Sequence, residues 1–164
     1  HTAYPAPRNP EPAGLSREEV LAMLKVESSS SFRDFILVDL CRTDHEVRPG
    51  FSFGSAITLI LTPITRAAPI RGSVNLPAQS LYPTLPTLYS VLKAAGMRKF
   101  IWCCSSSRGR GNRAAGWFVD HLSDRGDSDM QSLVLVDGIK GWATAGPEYT
   151  QWMDEYDESV WLKS

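Results

Sequence analysis

The stretch KFIWCCSSSRGRGNRAAGWFV, Lys99 to Val119, decides the fold. Its first residues form an apolar run that suits a strand buried on both faces. Serines and glycine then fill a short loop, and from Asn112 to about Arg125 a helix is predicted, with Ala114, Ala115, Phe118, Val119 and Leu122 on one face. A strand, a tight loop of small residues and a helix N-terminus make an anion cradle. The loop amides point inward and the helix dipole adds roughly half a positive charge. Cys104 opens that loop and Arg110 closes it. A thiol at the mouth of such a cradle is expected to ionise more readily than a free cysteine, whose pKa is about 8.5. Its thiolate would be a nucleophile. The amides of Ser105, Ser106, Ser107, Arg108, Gly109 and Arg110 would bind the oxygens of a tetrahedral anion, and the Arg110 guanidinium would grip two of them.

Gly111, Asn112 and Arg113 follow Arg110 directly, and Ser107 sits in mid-loop. In these residues the chain resembles the rhodanese superfamily, and within it the branch of cell-division dual-specificity phosphatases and eukaryotic-type arsenate reductases. Loops of that branch read Cys, five residues, Arg, then Gly-x-Arg or Gly-x-Lys, with a tendency to serine where Ser107 stands. Three further segments resemble the superfamily. FILVDL (35–40) is similar to its early strand ending in Val-Asp, IRGSVNLP (70–77) to its I-x-G-A-x-N-(I/L)-P element, and VLVDGIKGW (134–142) to its closing L-x-G-G-(I/F)-x-x-W element. The resemblance spans about residues 15 to 146. It implies an α/β fold, a rhodanese-like central parallel sheet with helices on both faces.

Loop length bears on the reaction. Sulfurtransferase members usually have a loop one residue shorter, sized for a sulfane sulfur, so the resemblance implies arsenate or phosphate here. Arg108 stands where the arsenate reductases tend to carry a basic residue. The phosphatases tend to carry an acid in the second half of the loop, and this chain has none there. The expectation is therefore a cysteine-dependent arsenate reductase or protein phosphatase-like enzyme, tilted toward arsenate. In the arsenate case the resemblance implies glutathione as the resolving thiol and glutaredoxin as recycling partner, with no bound cofactor. Two alternatives stay open: sulfur transfer through a Cys104 persulfide, and a rhodanese module used for binding or recruited to other chemistry.

The chain departs from the family in three places. Cys103 replaces the histidine that commonly precedes the nucleophile, and reads as a small buried hydrophobe, with a redox partner for Cys104 as the sharper alternative. Cys41, in VDLCRTDHE (38–46), is either an inert structural cysteine or, offset by one residue, the counterpart of the phosphatases' resolving thiol, which protects the nucleophile from over-oxidation. Residues 47 to 69 form an apolar insert without counterpart: a lid, an extra hairpin, or the translation of an unspliced intron.

Within the loop, Ser107 either hydrogen-bonds the Cys104 sulfur or satisfies the loop backbone. Arg113, one turn into the helix, is a candidate substrate-binding residue or a surface cation. Asp44 and Glu46 are weak candidates for a general acid. His45 and His121 are isolated, and no metal site is suggested.

The 164 residues suit one domain: a tail over 1–14, rich in proline and extended or disordered, and a single rhodanese-like domain over 15–164. Forty-three per cent apolar residues are enough for a packed core. A net charge of -1 gives no footprint for nucleic acid or an anionic membrane. Pro49 to Thr65, an uncharged apolar run, is shorter than the about 20 residues a membrane span needs and contains a proline. The cysteine pattern is no disulfide framework, and no secretory leader is visible, so a cytoplasmic or nuclear location is expected. Ser16 and Glu19 spell a capping box for a helix from Leu15 to about Lys25. Strands are predicted at 35–40, 99–103 and 132–136, a turn or loop at 28–31, and helices at 85–95, stopped by Gly96, and at 148–161.

Overall fold

The computed structural model describes residues 4–29, 33–41 and 68–161. The chain order is β1 (Gly14–Leu15), α1 (Arg17–Ser28), β2 (Phe35–Asp39), β3 (Val74–Asn75), α2 (Ala78–Ala94), β4 (Lys99–Cys103), α3 (Arg110–Asp124), β5 (Gln131–Leu135), α4 (Gly138–Ala143), α5 (Pro147–Thr150) and α6 (Glu158–Trp161). The strands pair in the order β1-β5-β4-β2-β3, all parallel. The switch in winding direction lies between the central strands β2 and β4, whose register sets Asp39 beside Cys103. In open parallel sheets such a switch point, at the carboxyl ends of the strands, is where ligands bind.

The expected α/β sandwich is what forms. Phe100 to Cys103 are all buried, as a strand covered on both faces requires. On one face Phe100 and Trp102 meet Phe118 of α3, with ring centroids 4.3 and 5.6 Å apart, and Tyr89 of α2 packs beyond it. Burying each such side chain contributes roughly 1.5–3 kcal/mol. α1 and the α4–α5 corner are tied together, through Arg17 to the Gly141 carbonyl (3.1 Å) and Lys25 to Glu148 (2.6 Å). The capping box closes as read: Ser16 Oγ accepts from the Glu19 amide (3.2 Å) and Glu19 accepts from the Ser16 amide (2.8 Å).

Two expectations need correcting. The helix predicted at 85–95 begins earlier, at Ala78, with Pro83 and Pro86 inside it. Each proline removes one i→i−4 bond, yet Leu81, Leu85 and Tyr89 still form one buried stripe, which holds the helix on the sheet. Gly96 (φ +81) ends it as expected. The single helix predicted over 148–161 does not form. α5 and α6 are separate four-residue turns. Between them Met153 bridges to Ile70, the Asp154 amide donates to the Pro69 carbonyl, and Glu155 takes a positive φ of 56°. Pairing with the 69–71 segment outcompetes the local helical preference.

The N-terminal segment from Tyr4 lies along α3 before entering the sheet as β1, where Val134 N donates to the Ala13 carbonyl (2.9 Å). The loop predicted at 28–31 starts one residue late, because α1 runs through Ser28 to a cap at Ser29; its second half and most of the apolar insert, together with Asp44, His45 and Glu46, lie outside the described residues. Among the described residues no helix is long and apolar enough to cross a membrane.

Candidate active site

Cys104 is the first residue beyond β4, at the carboxyl edge of the sheet. The loop Ser105–Gly109 passes from it into α3. Cys104 and Ser107 are buried, Ser105 and Arg110 half-buried, and Ser106, Arg108 and Gly109 exposed.

The orientation of the loop follows from its carbonyls. Ile139 N donates to the Cys104 carbonyl (3.0 Å) and Lys140 N to that of Ser105 (2.9 Å). A trans peptide points its N–H opposite to its C=O. With those two carbonyls turned toward α4, the amides of Ser105 and Ser106 point away from α4. Among the described residues, no backbone hydrogen bond is donated by residues 105 to 109. The first turn of α3 carries no acidic residue, and Gly109 at its cap offers no side chain, so among the described residues no cap side chain covers the N-terminus of α3. These are the features of an anion-binding nest.

Ser107 takes a left-handed conformation (φ 54°), and its hydroxyl accepts from the Cys104 amide at 3.4 Å. Of the two roles weighed for it, the backbone one is realised. No described hydrogen bond joins it to the sulfur. Gly111 lets α3 approach this serine: a Cβ there would sit 3.2 Å from Ser107 Cβ.

The end of β2 forms the other wall. The Leu40 amide donates to the Cys103 carbonyl (2.8 Å), carrying the strand register past Asp39 and bringing Cys41 next to the Cys104 end of β4. Arg110 Nη1 donates to the Leu40 carbonyl at 3.4 Å. Asp39, nearly fully buried, accepts from the Cys41 amide at 2.9 Å. Asn75 Nδ2 donates to the carbonyls of Cys41 (2.8 Å) and Asp39 (3.2 Å), which is the work of the asparagine in the IRGSVNLP segment. Burial, then the Asp39 charge, pushes the Cys41 thiol up, while Arg110 pulls it down and Cys104 also acts on it. Burial also raises Cys103, whose sulfur donates to the Val38 carbonyl at 3.4 Å. All three cysteines are free thiols. Cys41, Cys104 and Arg110 therefore share one corner, whereas Cys103 is core, as read from the sequence.

Arg113 turns elsewhere. Its Nη2 donates to the Tyr4 carbonyl (2.7 Å), and its guanidinium lies 5.0 Å over the Trp117 ring. His121 sits against Tyr89, away from the loop.

The sequence reading missed the parts played by Asp39 and Gly138. An acid ending an apolar buried strand was the available signal for the first. Gly138 (φ +62) packs against the loop itself: a Cβ there would overlap the Cys104 carbonyl oxygen and stand 2.7 Å from that of Ser105. Its signal was a glycine between two apolar stretches, and its meaning depended on contact with a distant segment.

Solved structures share this architecture. The As-Sb reductase from Leishmania major matches with a TM-score of 0.64 at 16% identity, over 87% of this chain and 85% of that one. A yeast protein tyrosine phosphatase of the rhodanese family, Ygr203w, matches with a TM-score of 0.65 at 18% identity, over 91% and 96%. A second structure of the Saccharomyces cerevisiae protein, described as a homolog of single-domain rhodanese and the Cdc25 phosphatase catalytic domain, gives 0.63, 18%, and 91% of each chain. No family model matches the chain, and no curated protein does. The fold is the rhodanese-like α/β fold of these structures.

Proposed function

We propose that the protein is a thiolate enzyme acting on a small tetrahedral oxyanion, with arsenate reduction as its reaction. The observation that supports this reading is the hydrogen bonding of the Cys104 and Ser105 carbonyls to α4, which leaves the amides that follow them pointing away from α4 and without a backbone partner among the described residues. Cys104 would attack the central atom. The amides of Ser105 to Arg110 would hold the oxygens, and Arg110, now on the Leu40 carbonyl, lies at the end of the loop from which its fork can take two of them. The Cys104 residue is only 3% exposed, which suits a compact ligand.

Phosphoester hydrolysis is the second reading, favoured by the likeness to the yeast phosphatase. It needs a proton donor for the leaving group. The loop contains none, and the nearby Asp39 is buried with an oxygen engaged by the Cys41 amide. Arsenate reduction needs no acid of that strength. Attack by Cys104 would form an S–As bond as one arsenate oxygen leaves as water; a thiol such as glutathione would then form a disulfide with Cys104 as the arsenic departs, reduced by two electrons, as arsenite, and glutaredoxin would reduce that disulfide. Sulfur transfer through a persulfide keeps the nucleophile but makes less use of Arg110.

The test is one panel run on the wild type, Cys104→Ser and Arg110→Ala: arsenate reduction with glutathione and glutaredoxin, aryl phosphate hydrolysis, and thiosulfate-to-cyanide transfer. Arsenate turnover lost in both variants supports the proposal. Sulfur transfer that survives Arg110→Ala, or wild-type inactivity in all three assays, sinks it.

A further inference from the structure

The outer face of α3 holds an extended proline-rich segment by side-chain chemistry. Tyr4 stacks on Tyr82 of α2 (ring centroids 5.1 Å) and meets Trp117 edge-on (6.1 Å). Trp117 Nε1 donates to the Pro5 carbonyl (2.8 Å), and Arg113 Nη2 to the carbonyls of Tyr4 (2.7 Å) and Pro5 (3.4 Å). Pro7 and Asn9 cross at Gly116, where a Cβ would come within 2.7 Å of Pro7 Cβ. The Arg8 amide donates to Asp120 (2.8 Å) and its guanidinium to Asp124 (2.7 Å). The contact positions 113, 116, 117, 120 and 124 form one stripe at helical spacing. From Arg113 to Asp120 the helix rises about 10 Å, a distance that Tyr4 to Arg8 covers as extended chain at about 3 Å per residue.

Carbonyls of an extended proline segment taken by an indole N–H and a guanidinium, its tyrosine ring set between Tyr82 and Trp117, and a downstream arginine on paired carboxylates together make a surface suited to polyproline recognition. The attachment is light. Arg8 and Asp124 keep 62% and 64% side-chain exposure in their ion pair, and such pairs contribute less than about 1 kcal/mol. Only one amide of residues 4–9, that of Arg8, bonds to the helix, and sheet bonding begins at Ala13. We propose that this α2–α3 face is a reader of extended Pro-x-Pro-Arg segments, that residues 4–9 are its ligand in cis, and that a segment of the same chemistry on a partner protein displaces them. A tethered ligand acts at an effective concentration on the order of mM, so the face is masked until its own segment is weakened or outcompeted.

The probe is a fluorescein-labelled peptide of residues 4–12, read by anisotropy against the full chain. Two variants weaken the cis ligand, Arg8→Glu and Tyr4→Ala. Both should bind the peptide more tightly than the wild type does, by about two- to five-fold for Arg8→Glu, the range of an exposed ion pair, and by about two- to ten-fold for Tyr4→Ala, the range of a lost aromatic pair. A peptide with arginine replaced by glutamate should bind about two- to five-fold more weakly. Asp120→Lys with Asp124→Lys in the Tyr4→Ala chain, where the tethered Arg8 then faces like charges, should reverse that preference. The idea fails if the variants, folded by circular dichroism, ignore the peptide at millimolar concentration, or bind both peptides equally. It fails too if they form dimers with rising protein concentration and take up no peptide, since the face would then serve a second copy of this chain. A third overturning result is hydrogen exchange at the wild-type Trp117 indole as slow as at the β4 amides, because the segment would then not detach.

Discussion

Gly138 stands against the backbone of Cys104, so close that any side chain there would overlap the Cys104 carbonyl oxygen. The contact lets the Ile139 and Lys140 amides reach the loop carbonyls. Gly138→Ala should therefore cost far more than the about 1–2 kcal/mol of a left-handed alanine, and should abolish oxyanion binding. Gly96→Ala is the control, with a similar backbone (φ +81) and open space around it. It should lower stability by about 1 kcal/mol and leave activity alone. Urea denaturation and phosphate protection of Cys104 from alkylation measure the two effects. Equal losses in both variants would mean that the loop does not depend on this contact.

Cys41 lies next to Cys104 with its thiol pushed up by burial and by Asp39. Mild peroxide should yield a peptide joining Cys41 to Cys104, formed faster as pH rises because only the thiolate attacks a sulfenic acid. Cys41→Ser should shift the recovered Cys104 toward sulfinic acid. Mass spectrometry that finds only sulfinic Cys104 in the wild type would leave Cys41 a structural residue.

The Lys93 ammonium and the Tyr89 hydroxyl hold Asp127 well below the usual carboxylate range. A folded-state value below the unfolded one, about 3.9, gives stability that is present above that pH and is lost as pH falls through the folded value. The melting temperature should fall steeply below about pH 4. Asp127→Asn should lower it at neutral pH and flatten that acid limb.

His121 titrates in a different window. Burial, then Arg125, lowers its value, against an opposing pull from Asp124. The neutral ring is favoured in the fold, so its contribution is complete above about pH 6.5 and declines as pH falls through the lowered folded value. His121→Gln should flatten the melting-temperature curve between pH 7 and 5. An unchanged slope would show that the ring is solvated.

Ser132 links two core elements: it takes the Trp102 indole N–H (2.9 Å) and donates to the Ala115 carbonyl (2.9 Å). Ser132→Ala leaves that indole without a partner in the core and should cost about 1–3 kcal/mol by denaturant titration.

The parts of this molecule legible in its sequence are those set by local chemistry. β4 appears at the predicted residues because a continuous apolar run bounded by Lys99 and a serine loop has one reading. The Ser16–Glu19 box reports a helix start that side chains make on their own. The early turns of α2 were hidden because Pro83 and Pro86 are penalties that burial of Leu81 and Leu85 overrides. The C-terminal break was hidden because its cause, Met153 against Ile70, is a contact between distant segments. The same division runs through the site. Cys104 and Arg110 could be named from spacing. Whether Arg113 would face substrate or the N-terminal segment depended on where Tyr4 came to rest.

The tie from α4 to the Cys104 loop also sets an order of events in biosynthesis. Cys104 and Arg110 leave the ribosome before the residues that turn the loop's peptide groups into place. A nascent or truncated chain ending short of Gly138 would carry Cys104 in a loop whose carbonyls have no partner on α4. Assembly of β5 and α4 is thus the moment at which the loop takes its shape.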